Sequence, residues 1–338
     1  MTLPRLLSSA LCPALVATAI YFAGPVVACA VTQTPSKSLA QAYADLQEGE
    51  ADKALGLLGA EPTSGPDAAQ ASNLVCRVRY TLEQWDAAVS ACEQAVRVDG
   101  NDSDYHWWLG RALGEKAARA TFLSAYSLAK RTRAEFEEAV HLDPRNADAL
   151  ADLGDFYRQA PGVIGGGIDK AQAVAMQLDK VDATCAENLR GQIAEQQKDY
   201  AAAEAAYKKN ASSGRHPATG WASLASFYAR RQSFDAMEAA VHNIVSAAVH
   251  DKRGGVALYD GAGLLIQSKR DPQLAASMLE DYLAGSAKSE EAPAFIAHLR
   301  LARLKQQLGD TAAAGREQAA ALAMAHEYNP AQDVKTHN

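Results

Sequence analysis

The chain has 338 residues, more than one hydrophobic core normally serves, so it holds either two domains or an elongated architecture with a distributed core. A hydrophobic content of 48% is ample for burial, while 22% charged residues and a net charge of −7 leave no basic footprint of the kind that general nucleic-acid binding needs. No long Ser/Gly-rich or single-sign run marks a linker, and the chain reads as one continuous body.

Residues 1–30 differ from the rest. Arg5 precedes LLSSALCPALVATAIYFAGPVVACA, an apolar stretch too interrupted for a membrane anchor and read instead as a secretory signal. Gly24 and Pro25 break it just before Ala28 and Ala30, the small-x-small pattern that a signal peptidase accepts, which puts a mature start at Val31. Val26-Val27-Ala28-Cys29 also resembles a bacterial lipobox, in which Cys29 would be lipidated and tether the chain to a membrane surface. Both readings export the mature chain to the bacterial periplasm or beyond, with no transmembrane helix left in it.

From residue 37 onward one grammar recurs, with a small residue on a first amphipathic helix and a second small or slim residue usually twelve positions later. The first series is Ala42, Cys76, Gly110, Gly154, Gly191, Ala225, Gly263 and Ala302; the second is Ala54, Ala88, Thr132, Ala171, Ala203, Met237, Ala275 and Ala314. Successive first-series spacings are 34, 34, 44, 37, 34, 38 and 39 residues. Two antiparallel helices approach closely only where neither presents bulk, and that accounts for the paired small positions. WASLASFYARRQSFDAMEAAV (221–241) has the fullest form, and Phe136, Ala139 and Pro144 supply a typical second-helix ending. This pattern resembles the tetratricopeptide repeat family over residues 37–326, which implies an all-α, right-handed superhelical solenoid of about eight helix-turn-helix repeats. An irregular alanine-rich bundle is the alternative, and residues 327–338 read as a flexible tail.

Two repeats depart from the pattern. The third is ten residues longer than the second, with an insertion near 116–130, and between Arg111 and Arg133 it carries six basic residues against Glu115 alone. The apolar insert ATFLSAYSL either lengthens both helices or forms a small extra one. Lys116, Arg119, Lys130, Arg131 and Arg133 form either a solvated basic face or an anion-attracting rim. The fourth repeat breaks at 160–167, APGVIGGG, which reads as a lengthened intra-repeat turn. No strand pattern precedes it, and Lys170 is misplaced for a phosphate loop. Residues 105–170 also resemble a group of exported bacterial tetratricopeptide proteins with an APG-x-x-GGG turn.

Family resemblance implies a concave groove, lined at three before, one after and four after each small position. That rule selects Asn73, Arg77, Tyr80, Trp107, Arg111, Asp155, Arg158, Asn188, Gln192 and Glu195 as a surface for a protein or extended peptide. The alternative is a small-ligand or envelope-component binder built on the third and fourth repeats, as an accessory to transport or wall assembly. No His/Cys/Asp/Glu spacing suggests a metal, no nucleophile elbow or kinase signature occurs, and no cofactor is implied. The adjacent acids Glu137-Glu138 and Glu290-Glu291 read as solvated surface rather than a catalytic pair, and the expectation is a non-enzymatic chain. Cys76 and Cys92 face the same helix contact, where they form a disulfide or pack as thiols, and Cys185 is left free.

Overall fold

A computed structural model of the chain describes residues 36–59, 64–65, 67–213 and 215–329. The signal segment, Cys29 and the tail beyond Asn329 lie outside the described residues. The described α-helices come in eight consecutive pairs: α1 Lys37–Gln47 with α2 Ala51–Leu58, α3 Ala68–Thr81 with α4 Trp85–Val98, α5 Ser103–Ala118 with α6 Phe122–Leu142, and α7 Ala147–Gln159 with α8 Ile168–Leu178. Then follow α9 Ala183–Gln196 with α10 Tyr200–Ser213, α11 Pro217–Arg230 with α12 Phe234–Ala248, α13 Gly254–Ser268 with α14 Pro272–Ala284, and α15 Ala294–Gln307 with α16 Thr311–Met324. Each helix packs on its partner and on the next pair, the arrangement of an all-α solenoid.

The small positions sit where the helices touch. Ala42, Ala54, Cys76, Ala88, Ala171, Ala203, Ala225 and Met237 are fully buried. A β-carbon on Gly110 would overlap the ring of Phe136 on the partner helix, and one on Gly191 would strike the ring of Tyr207. Seven residues after the small position, the turn between helices takes a left-handed conformation in six repeats, at Gly49, Glu83, Lys198, Gln232, Lys269 and Gly309. Asp102, Asn146, Asp182, Asp271 and Asp310 cap the following helices through their side chains, satisfying amides that the helix leaves free.

This register corrects the seventh repeat. Lys269 stands seven residues after Ala262, which is fully buried, whereas Gly263 is only half-buried and lies near Arg300. In the eighth, Ala313 is buried, whereas Ala314 is half-buried and lines a surface pocket with Leu299 and Ala302. The third-repeat insert lengthens both helices and makes α6, at 21 residues, the longest described helix.

The two ends of the solenoid meet. One continuous core joins Leu39, Leu46, Leu74 and Val78 of the first repeats to Phe295, Leu301 and Tyr328 of the last. Gly49 allows this approach, since a β-carbon there would lie 2.6 Å from the amide nitrogen of Ala294. Polar contacts surround the joint: Gln47 Nε2 donates to Glu290 (3.0 Å), Lys288 pairs with Glu48 (3.1 Å), Arg79 pairs with Glu327, and the His326 amide donates to Asp52 (2.9 Å). Glu327 and Tyr328, expected to begin a free tail, are instead held here, with Tyr328 packed on Phe295 at 5.0 Å between ring centroids.

Gln232 holds a left-handed angle that costs a side-chain-bearing residue about 1 kcal/mol. Gln232→Gly should therefore raise the denaturant midpoint, while Gly110→Ala should lower it by the equivalent of about 1–3 kcal/mol through its clash with Phe136. Parallel urea titrations followed by circular dichroism check both signs.

Candidate binding site

Arginines and aromatic rings alternate across the first helices of repeats one to three. Arg77 on α3 lies over Tyr43 on α1 (5.1 Å) and Trp108 on α5 (5.2 Å). Arg111 lies 4.5 Å from the Trp108 ring centre, with Tyr80 and Trp107 at 5.1 and 5.2 Å. The helical period sets this up, since Trp107 and Trp108 precede Arg111 by four and three residues and so share its face. Trp107 Nε1 donates to Asp152 on α7 at 2.7 Å, and Arg111 Nε stands 3.7 Å from the same oxygen. Nη1 of Arg111 is buried and has no hydrogen-bond partner among the described residues.

Beside this stack the third and fourth repeats part. A cavity of about 500 Å³ runs between α5, α6 and α7, lined by the apolar Phe136, Phe156, Ala129, Ala160 and Ile164 and by the polar Tyr80, Arg111, Glu115, Thr132, Asp152, Asp155 and Gln159. Burial pushes the Tyr80 hydroxyl up to about 12 against the opposing pull of Arg111. Burial likewise raises Asp152, opposed by Arg111 and the Trp107 donor. For Arg111, burial disfavours the charge, but Tyr80, Asp152 and Glu291 outweigh it and the pKa lies above the ordinary value.

Other residues of the expected groove are already engaged. Arg77 Nε donates to Glu290 at 2.9 Å, and this pair has side chains only 16% and 8% exposed. Glu290 is thus a buried partner brought by the α14–α15 loop, not solvated surface, and the groove is closed at Arg77 by the protein's own chain. Asn73, one turn earlier, is 3% exposed and so lines no groove, and its amide nitrogen is unpartnered among the described residues. Trp107 is wedged between two core clusters rather than free on a surface. Asp155 accepts from Arg158 Nε (3.0 Å), and Glu195 takes both donors of Arg230 (2.8 Å each). Asn188 and Gln192 on α9 are half-buried and make no side-chain hydrogen bond among the described residues. Glu137, also expected on solvated surface, accepts from the Tyr157 hydroxyl at 2.8 Å.

The positional rule missed a further set, two residues before the small position. Asp152, Asp260 and Arg300 occupy it in repeats four, seven and eight. Asp260 is reached by solvent, yet surrounding protein pushes its carboxyl up to about 6; Arg300 counteracts this and Glu291 adds to it. Glu291 also acts electrostatically on Arg111 of α5 and Cys185 of α9, so side chains from well-separated repeats approach one another on the inner face.

The basic residues of the insert are mostly neutralised. Lys116 pairs with Asp86, Arg119 with Glu115 and Arg131 with Glu93, each at 2.6 Å, while Lys130 lies over Tyr126 (4.7 Å). Arg133 pairs with Glu137 at 3.4 Å and donates to the Ile164 carbonyl at 3.0 Å. That last contact explains the glycine turn. A β-carbon on Gly165, whose φ is +94°, would overlap the Arg133 guanidinium, and one on Gly166 would strike the Ala160 carbonyl. The glycines let the turn fold tightly against Arg133. Cys76 and Cys92 are joined as a disulfide with Cα atoms 5.1 Å apart, and Cys185 is free.

No family model matches the chain. Superkiller complex protein 3 of Mus musculus is 29% identical over 134 residues, 39% of this chain and 8% of that protein, so the chain spans less than a tenth of its curated relative's length. A thermophilic TPR protein of Thermus thermophilus superposes with a TM-score of 0.46 at 19% identity, covering 56% of this chain and 96% of that one. A tetratricopeptide repeat protein of Parabacteroides merdae gives 0.45 at 10% identity over 80% and 97%.

Glu290→Ala should lower the thermal midpoint by the equivalent of ~2 kcal/mol, less than a fully buried broken pair because Arg77 keeps its two aromatic contacts. Asp260, raised in the folded state, opposes folding when ionised. Asp260→Asn should therefore raise the melting temperature at pH 7.5, an advantage that shrinks as pH falls through about 6 and vanishes below the ordinary carboxylate range. Melts at four pH values read the trend.

Proposed function

We propose that the chain is an exported, non-enzymatic tetratricopeptide-type scaffold that holds an extended segment of a partner protein where its third and fourth repeats meet. The observation that carries this is the inter-repeat cavity of about 500 Å³, where Phe136, Phe156 and Ile164 share the lining with Glu115, Asp152, Asp155 and an arginine, Arg111, that has one nitrogen unpartnered among the described residues. Such a site suits an apolar side chain beside a backbone carbonyl that Arg111 can take and a backbone amide that the lining carboxylates can take, with Asn188 and Gln192 on α9 free to take neighbouring backbone groups. Export is supported by the apolar segment before Ala30 and by the Cys76–Cys92 bond, of a kind that persists outside a reducing cytosol. Periplasmic release after Ala30 and membrane tethering through Cys29 are both compatible with it.

A small ligand is the second reading, favoured by the cavity volume, which falls in the range of small-molecule sites. Screening a random-peptide phage library on immobilised protein separates the two. Peptide binders that lose at least tenfold affinity to both Ala129→Leu, which fills the cavity, and Asn188→Ala/Gln192→Ala support the scaffold. No enrichment, or binders indifferent to both variants, sinks it. A thermal shift with small molecules that Ala129→Leu alone abolishes favours the ligand reading.

The disulfide gives a separate check. Denatured, unreduced protein spanning residues 35–338 should show one titratable thiol, Cys185, and reduction should cost about 3 kcal/mol of stability. Three thiols in protein recovered from an oxidising compartment would contradict the bond.

A further inference from the structure

The α5–α6 tip is the part of the molecule that the concave site leaves unused. Phe122 and Leu123, the first two residues of α6, are 86% and 81% exposed, and Tyr126 follows Phe122 by one turn on the same face. Their position along the hairpin explains the exposure. On one side, Arg119 stacks on Trp85, the first residue of α4 (4.4 Å), so the residues after Arg119 lie past the end of repeat two. On the other, Arg133 is level with the turn at Ile164 and Gly165 of repeat four. Phe122 stands eleven residues before Arg133 on one continuous helix, about 16 Å farther along its axis at ~1.5 Å per residue. Neither neighbouring repeat reaches it.

We infer that this tip is a membrane-contact element, inserting Phe122 and Leu123 into the interface of an anionic phospholipid bilayer. Two observations favour lipid over a protein partner. The apolar area is a narrow convex tip of two or three side chains, far below the roughly 1,000 Å² that a stable protein interface needs, whereas a bilayer interface accepts single apolar side chains without a complementary shape. The charge around it also adds a modest attraction for anionic headgroups. No carboxylate occurs from Lys116 through Ala134, and Lys130, over the Tyr126 ring, has no carboxylate partner among the described residues. The carboxylates that pair with Lys116, Arg119, Arg131 and Arg133 come from Asp86, Glu93, Glu115 and Glu137, outside that stretch. Attraction is therefore modest, and the apolar residues contribute most of the binding. Among the described residues no helix is long and apolar enough to cross a membrane, so this contact is superficial. It is independent of what the concave site holds.

The test uses protein spanning residues 35–338, one compact unit whose described helices hold their own core, so that the apolar N-terminal segment cannot supply the binding. It should float with vesicles of phosphatidylglycerol and phosphatidylcholine, and several-fold less with phosphatidylcholine alone. Phe122→Asp/Leu123→Asp should lose at least tenfold of that binding with an unchanged helical spectrum, and Phe122→Ala/Leu123→Ala should lose it too, without an added charge. Lys130→Glu should weaken it only on the anionic vesicles. Absence of flotation, equal flotation of the double variants, or a tip that cross-links to a soluble protein without flotation overturns the inference.

Discussion

Close helix contact at small residues is the constraint on which the rest depends. Gly110, Gly191, Ala42, Ala203 and their counterparts remove bulk where two helices meet, and the larger neighbours, such as Phe136 and Tyr207, fill the space that this leaves. Because each contact is local, the core is spread along the chain as four clusters among the described residues, and each repeat relies on its neighbours to bury its faces. The left-handed turn seven residues after the small position keeps this packing in step. It holds in six repeats, tolerated at Glu83, Lys198, Gln232 and Lys269 despite their side chains.

The two repeats that lack that turn are the third and the fourth, and the cavity opens between them. Lengthening α5 and α6 changes how they meet α7, and the longer turn at 160–167 fills the gap on one side by folding over Arg133. On the inner side the gap stays open, bounded by Arg111 and Asp152. The irregularity that interrupts the repeat therefore also opens this cavity, while the apolar end of the same insertion is carried outward past both neighbours.

Closure of the ends shapes the inner face in a second way. A solenoid whose last repeat packs on its first two cannot offer a continuous groove, and the α14–α15 loop uses Glu290 to occupy Arg77. Buried charge needs a partner, and here the partner comes from 213 residues away. The inner face is left with Arg111, Asp152, Asp260, Arg300 and the free amides of α9, a mixed polar lining. The Arg–aromatic stack holds part of it rigid.

Local physics was legible in the sequence. The small-residue spacing, the amphipathic period, the two irregular repeats and the facing of Cys76 and Cys92 all follow from interactions between residues within about 40 positions, and these determined the helix pairs and their order. Repeat seven slipped by one residue because Gly263 and Ala262 are both small, and only packing distinguishes them. What the tertiary structure alone decided is everything between distant repeats. Glu290 reads as solvated when judged beside Glu291, and Asn73 as groove-lining when judged by its offset from Cys76. Their burial depends on the last repeats meeting the first, and that meeting is set by the accumulated rotation of eight helix pairs, which no local pattern carries.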